Sequence, residues 1–307
     1  VSPNFDLNTY GKSYDSDVFK NPILENVYEF GSVIKPLVMA GAIDADIINP
    51  QTTYFDNKGS VTVDGKVLSN FDKKGRGTAT MQDVLNQSLN TGMVFVSQKM
   101  GHEKMRKYMY GYKINERTGI DLPNETYGLT SNLEGKRDLG YATAAFGQGI
   151  AMTPIEAIRA FASLANGGKL VYPHVGVAIE YENGIKKKIE TPEPIQILKP
   201  ETSVTISRML TTVVDKGLLN GAYKNEHYSI AAKTGTAQIA NLNEGGYYDD
   251  RHLHSFFGYF PAYNPKFIMF FFNLHPQGAT YAATTLTEPF MNTAEFMISY
   301  YDIEPDR

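Results

Sequence analysis

Three short apolar runs toward the C-terminal end, each bounded by turn residues, limit this chain more than any other feature. They are Tyr228 to Ile239, Leu253 to Phe260 and Phe267 to Leu274, separated by a Gly/Asp-rich loop and by Pro261-Ala262-Tyr263-Asn264-Pro265. Runs of that length between Gly, Pro and Asn read as consecutive strands of a meander. A final helix is expected from about Glu288 to Tyr301. An apolar sheet needs cover, and the helix-patterned stretches elsewhere supply it on both faces. The expected class is therefore α+β, an antiparallel sheet covered by helices with a mainly helical second lobe.

Local signals place those helices. Gly31 to Gly41 reads as a helix opening near Ser32, because Pro36 lacks an N–H and fits a first turn, where that donor has no intrahelical partner. Gly41 reads as its stop. Thr80 with Asp83 reads as a cap, Met93 to Met100 as a second apolar helix ending at Gly101, and Ser88-Leu89-Asn90 as the joint between them. Thr153-Pro154-Ile155-Glu156 has capping-box spacing and opens a helix that Asn166-Gly167 ends, with Ile155, Ile158, Phe161, Ala162 and Ala165 expected to face the core. Thr53 to Leu68 reads as looped strands. Leu170 to Glu180 and Ile185 to Ile189 read as strands joined across Asn183-Gly184, and a helix follows from about Glu201 to Asp215.

Composition removes several functions. The 29 basic residues stand against 33 acidic ones and form no long run, so no nucleic-acid partner is expected. With no cysteine, disulfide scaffolds, thiolate zinc sites and cysteine nucleophiles are excluded. The longest unbroken apolar run, Phe267 to Phe272, is far short of the roughly 20 residues that span a bilayer. Val1 and the lack of a leader pattern make the chain read as a piece of a longer protein, with any anchor upstream. His252 and His254 alternate on a strand without a carboxylate or third ligand at metal spacing, so no metal and no cofactor are expected. Lys186-Lys187-Lys188 reads as a solvated edge strand, and Asn124-Glu125-Thr126 matches a glycosylation acceptor.

Three short elements could carry chemistry: Ser32-x-x-Lys35, Ser88-x-Asn90 and Lys233-Thr234-Gly235. Each alone has a plain reading as a capped helix, a polar loop or a strand with a small residue. In this order they resemble the set found in penicillin-binding proteins and class A β-lactamases. Tyr28 to Pro36 is similar to the family's nucleophile segment and Ser2 to Asn8 to the stretch preceding it. Gly119 to Pro123, Phe146 to Ile150, Ala165 to Lys169 and Lys233 to Gln238 resemble further landmarks, so the resemblance covers Ser2 to Asp306. On these residues the chain is identified as similar to the transpeptidase domain of class B-like, high-molecular-weight penicillin-binding proteins. The ending Asp302-Ile303-Glu304-Pro305-Asp306 is closest to division-type members. Phe30, Val33 and Leu89 depart from common family residues, and Phe30 and Leu89 are expected to flank the cleft.

A serine hydroxyl needs a base, and Lys35 at i+3 from Ser32 lies on the same face. Lysine can be that base only if its charged form is disfavoured, which burial and a second cation, Lys233, would do. The Ser32 N–H at a helix start can donate to a developing oxyanion. The resemblance implies the rest. The Thr236 N–H would be the second donor, and Lys233, Thr234 and Thr236 would hold a substrate carboxylate. Asn90 would bind a substrate amide, Ser88 would relay a proton, and Gly235 would let substrate backbone approach. It implies a peptidoglycan D,D-transpeptidase acting on stem peptides and acylated by β-lactams. The parent protein would be membrane-anchored on the outer face of the bacterial cytoplasmic membrane, within a cell-wall synthesis complex. The expected lobes are 1–40 with 166–307, and 41–165. Family strands upstream of Ser2 would be absent, leaving the sheet edge opposite Lys233 without partners. Rival readings are a β-lactamase or D,D-carboxypeptidase and a non-catalytic β-lactam sensor. No Glu-x-x-x-Asn, the pattern of a deacylating base, stands between the second and third elements, and Glu288 with Asn292 comes after Lys233.

Overall fold

The computed structural model describes residues 16–241 and 243–307, together with Asp6, Asn8, Thr9 and Gly11. Apart from Asp6 and Asn8, the Ser2 to Asn8 stretch lies outside the described residues. After helix α1 (Pro22–Glu25), a 3₁₀ turn (Gly31–Ile34) runs straight into α2 (Lys35–Asp44). Strand β1 (Thr53–Asp56) pairs antiparallel with β4 (Gly77–Thr80), and β2 (Ser60–Val63) makes a hairpin with β3 (Lys66–Ser69). Helices α3 (Met81–Asn86), α4 (Asn90–Gly111), α5 (Asp138–Ala144) and α6 (Pro154–Ala165) follow. Next come the short strands β5 (Lys169–Leu170), β6 (Ala178–Glu180), β7 (Lys186–Lys188) and β8 (Ile195–Gln196), then α7 (Pro200–Thr212). The meander is β9 (Ala231–Ala240), β10 (Tyr247–Phe260) and β11 (Phe267–Leu274), and α8 (Ala282–Tyr300) closes the order.

The meander forms one antiparallel sheet in the order β11-β10-β9. Strand period two sends alternate residues of β10 to opposite faces, and both faces are apolar. Phe257 stacks on Phe161 of α6 at 4.1 Å, and the Tyr259 hydroxyl meets Ser207 of α7 at 2.8 Å. On the other face Phe256 stacks on Phe290 of α8 at 4.3 Å. One core therefore runs continuously from α2 and α4 through α6 and α7 to the sheet, and a second lies between the sheet and α8. The architecture is α+β with helices on both faces of the sheet. β9 is one edge; at the other, no strand among the described residues pairs with the outer side of β11.

Both capping boxes form: Thr80 with Asp83, and Thr153 with Glu156. Gly101, with φ 70° and ψ 168°, breaks α4 where the apolar stretch ends. Four expectations are corrected. Gly41 does not stop α2, which continues to Asp44; a Cβ there would stand 2.8 Å from the Tyr108 ring, so the glycine serves close packing of α2 on α4. Helix α8 begins at Ala282, with Pro289 inside it. An interior proline costs ~3 kcal/mol, offset here by burying Leu286, Phe290, Met291 and Ala294 against the sheet. The buried face of α6 is Ala157, Ala160, Phe161 and Leu164 with Glu156 and Arg159, while Ile155, Ile158, Ala162 and Ala165 are only part-buried. These two charged residues can face inward because the Gly128 N–H reaches the Glu156 carboxylate, and the Lys113 and Glu116 carbonyls receive the Arg159 guanidinium. Finally, the strand expected from Leu170 to Glu180 is two short pieces, β5 pairing β8 and β6 pairing β7.

Candidate active site

Ser32 sits in the 3₁₀ turn rather than in the α-helix itself, half-buried. A 3₁₀ turn has about 3.0 residues, so residues i and i+3 eclipse; Lys35 thereby stands on the Ser32 side of α2. The turn is built at Gly31, whose φ is 65°, a left-handed value that glycine adopts without cost. The Gly31 N–H donates to the Gly147 carbonyl at 3.1 Å. Gly147 is itself at φ 80°, and a Cβ there would lie 2.1 Å from the Gly31 carbonyl oxygen.

Lys35 is completely buried, and its Nζ meets the Ser88 carbonyl at 2.6 Å, Ser88 Oγ at 3.1 Å and Asn90 Oδ1 at 2.8 Å. Asn90 is oriented by its other arm, whose Nδ2 donates to the Ser69 carbonyl at 2.8 Å. Ser88 takes a left-handed φ of 55° at the joint between α3 and α4, which turns both its carbonyl and its hydroxyl toward Lys35. From β9, buried Lys233 places Nζ 3.2 Å from the same Ser88 Oγ and 2.9 Å from the Thr234 carbonyl. Lys35, Ser88, Asn90 and Lys233 thus form one hydrogen-bonded cluster that joins α2, the α3–α4 joint and β9. Among the described residues Ser32 is not joined to it by a hydrogen bond; it stands one turn before Lys35.

Two amines sharing one hydroxyl in a buried site cannot both hold a full proton complement cheaply. Burial, reinforced by the charge of Lys233, holds Lys35 well below the usual lysine range. Burial also pulls Lys233 down, to about 7. The contacts suit a neutral Lys35 beside a charged Lys233. Lys35 and Lys233 both donate to Ser88 Oγ, and Lys35 donates as well to the Ser88 carbonyl and Asn90 Oδ1; once Lys35 is neutral, the Ser88 hydroxyl donates to its lone pair and the two remaining Lys35 protons keep the other two partners. None of these partners is a carboxylate.

The face of β9 that carries Lys233, Gly235 and Ala237 packs on the Ser32 turn. A Cβ at Gly235 would lie 2.5 Å from Ser255 Oγ, 2.6 Å from the Phe30 carbonyl and 2.9 Å from the Val33 nitrogen. The side of Gly235 where a side chain would project is therefore occupied by the protein's own turn, a different reason for glycine than substrate approach. Thr234 and Thr236 alternate to the other side, where Thr236 Oγ1 accepts the Ala282 N–H at 3.0 Å. Accepting there leaves the Thr236 hydroxyl proton free to be donated.

Phe30 and Leu89 do not flank the cleft. Phe30 is 1% exposed and packs edge-on against Phe270 at 4.8 Å, and Leu89 is 0% exposed. As neighbours of site residues they point the opposite way, into the core. His254 is buried, held by Thr285 Oγ1 at 2.8 Å and the Thr280 carbonyl at 3.1 Å. Lys186–Lys188 is exposed strand β7, with Lys186 paired to Glu180. Glu125 is turned inward onto the Thr118 N–H and hydroxyl. Sequence reasoning missed Ser255, whose buried hydroxyl ties the Phe30 carbonyl at 2.8 Å to the Gly235 carbonyl at 3.2 Å. Its one sequence signal is a lone serine within the apolar run Leu253 to Phe260.

The chain is similar to known proteins over most of its length. The family described as the penicillin binding protein transpeptidase domain matches residues 1–294. Stage V sporulation protein D of Bacillus subtilis is 34% identical over 292 residues, covering 94% of this chain and 44% of that protein. Peptidoglycan D,D-transpeptidase FtsI of Buchnera aphidicola is 26% identical over 306 residues, covering 97% of this chain and 51% of that protein. The chain spans about half or less of these relatives' length. Penicillin binding protein 3 of Mycobacterium tuberculosis, solved with ampicillin, superposes with TM-score 0.87 at 25% identity, covering 98% of this chain and 68% of that chain.

Proposed function

This chain belongs to the penicillin-binding protein transpeptidase domain family, and from that premise we propose that it is a serine D,D-transpeptidase that crosslinks peptidoglycan stem peptides. The observation that carries the reading is the buried amine of Lys35, one turn from Ser32 and linked through Ser88 to Lys233. Ser32 Oγ attacks the carbonyl of a D-Ala-D-Ala terminus and gives its proton to Lys35. The resulting ammonium has three protons, matched by the Ser88 carbonyl, Ser88 Oγ and Asn90 Oδ1. The Ser88 hydroxyl, no longer donating to Lys35, gives its proton to the leaving nitrogen and takes one from the Lys35 ammonium in exchange, so that Ser88 is again a hydroxyl and Lys35 again a free amine. The C–N bond breaks, D-Ala departs as an amine, and an acyl ester remains on Ser32. An amine from a second stem peptide then attacks the ester, its proton passes to the same base, and Ser32 is regenerated.

The N–H groups of Ser32 and Thr236 serve as the oxyanion donors, each of a kind worth about 10²- to 10³-fold in rate. Lys233 with the Thr234 and Thr236 hydroxyls holds the terminal carboxylate, Asn90 binds a substrate amide, and the Gly235 segment lies alongside the peptide. Among the described residues no carboxylate partners the lysine–serine cluster to activate water, which favours aminolysis over a β-lactamase course. We take the cleft to lie between a sheet lobe, 1–40 with 166–307, and a mainly helical lobe, 41–165, except that α6 at the end of the second range packs on the sheet. We place the domain on the outer face of the bacterial cytoplasmic membrane, in a membrane-anchored division-type parent within a cell-wall synthesis complex. Among the described residues no helix is long and apolar enough to cross a membrane.

The test is a D-Ala-D-Ala peptide with an amine acceptor, followed by chromatography of products across pH. Crosslinked product with release of D-Ala is expected; hydrolysed peptide alone would refute the assignment. At low pH both lysines are charged and the base is blocked, and at high pH both are neutral and the carboxylate clamp is lost. Because Lys233 is held at about 7 by burial, kcat/KM should fall above about that pH. A bound carboxylate raises Lys233 again, so the fall in kcat should come at higher pH.

A further inference from the structure

Each of the three residues ahead of Ser32 is pinned to a different part of the fold. Glu29 takes the Gly149 N–H on Oε1 at 3.0 Å and the Tyr247 hydroxyl on Oε2 at 2.9 Å. Phe30 gives its carbonyl to Ser255, and the Gly31 N–H goes to the Gly147 carbonyl. Glu29 is the side chain that connects the segments to one another. Gly149 belongs to the loop whose Gly147 lies against Gly31, and Tyr247 opens β10 opposite Ala240, the last residue of β9. The nucleophile turn, the 147–149 loop and the first residue of β10, which pairs with the end of edge strand β9, therefore meet at one carboxylate.

We propose that Glu29 is a positioning residue for acyl transfer: held between Gly149 and Tyr247, its carboxylate sets the spacing between the Ser32 turn and strand β9, and with it the span between the Ser32 and Thr236 N–H groups. The chemistry it serves rests on the transpeptidase reading. A carboxylate is acceptor-only with two oxygens, which matches one N–H and one O–H without remainder. Both bonds are charge-assisted and correspondingly strong. Burial raises this carboxyl above its usual range, and the Tyr247 hydroxyl and Gly149 N–H pull it back. Glu29 is not core: its neighbours Tyr28 and Phe30 hold the segment to Phe272 and Phe270. Removing the carboxylate thus loosens the position of the turn while leaving its packing in place.

The experiment compares wild type with Glu29→Ala, Glu29→Gln and Tyr247→Phe. Acylation by a fluorescent penicillin is resolved into a saturation constant and an acylation rate constant, and backbone amide exchange is followed over 30–33 and 147–149. For Glu29→Ala the acylation rate constant should drop roughly 10- to 100-fold, the loss expected from misplacing a reacting group by up to an ångström, with the saturation constant nearly unchanged. Exchange in both segments should rise about tenfold or more while the interior of α4 keeps its protection. Glutamine retains an acceptor for Gly149 and offers a donor to the Tyr247 oxygen, so it should restore most of both losses. Tyr247→Phe should fall between. Wild-type exchange over 30–33 in Glu29→Ala, a loss confined to the saturation constant, or glutamine no better than alanine would each overturn the proposal. If Glu29→Ala does not fold, wild-type exchange and acylation in Tyr247→Phe overturn it equally. A wild type that does not acylate refutes the transpeptidase reading instead, and the exchange comparison still decides the role of Glu29.

Discussion

Lys35→Ala is expected to slow acylation by a fluorescent penicillin by ~10²- to 10⁴-fold, the usual contribution of a positioned general base, and Ser32→Ala to abolish it. The loss at Lys35 is large because no other group in the cluster can accept the Ser32 proton. Lys233 sits on the far side of Ser88 Oγ, and the remaining partners are carbonyl and amide oxygens. Folding should follow the opposite logic. A buried amine is costly to hold, as the lowered proton affinity of Lys35 shows, so Lys35→Met, similar in length but uncharged, should melt no earlier than wild type while losing acylation. A Lys35→Met protein that keeps wild-type labelling would remove the lysine from the mechanism.

Gly235→Ala is expected to cost about 10²-fold in acylation rate, the scale set by an ångström of misplacement, together with about 1–3 kcal/mol of stability from overpacking. Two of the three atoms its Cβ would meet are backbone, the Phe30 carbonyl oxygen at 2.6 Å and the Val33 nitrogen at 2.9 Å. A flexible side chain could swing aside, but these atoms move only if the Ser32 turn leaves β9. Relief therefore separates the two N–H groups that must converge on one oxygen. Urea unfolding should show a lower midpoint with an unchanged slope, and the labelling rate should fall alongside it. Labelling within threefold of wild type would mean that the spacing of turn and strand does not limit the chemistry.

Much of this was legible because it is local. The bounds of β11, Phe267–Leu274, follow from one apolar run between turn residues, and the two capping boxes follow from residues three apart. Where the deciding partner is remote, local rules gave the wrong boundary. Gly41 looked like a stop because the Tyr108 ring that requires it comes from another helix, and the final helix, expected from about Glu288, begins at Ala282 because the sheet that offsets the cost of Pro289 inside it lies elsewhere in the chain. The site divides in the same way. Ser32, Lys35, Ser88, Asn90 and Lys233 were recognisable by residue type and order, but the convergence of Lys35 and Lys233 on a single hydroxyl, Ser88 Oγ, with Asn90 on the Lys35 amine, is a tertiary fact. Phe30 and Leu89 were misplaced since proximity in sequence to a site residue says nothing about which way the side chain turns. Ser255 and Glu29 act through atoms far away in the chain, and no spacing rule points to them.

Mass spectrometry after incubation with a penicillin tests the central claim most directly. The expected result is one adduct per chain, mapping to Ser32 and persisting for minutes or longer, because acylation has its base and oxyanion donors while no carboxylate of the cluster stands ready to activate water for deacylation. An adduct on another residue, or no adduct while many equivalents of penicillin are consumed each minute, would contradict it and make the chain a hydrolase or a binder of another kind.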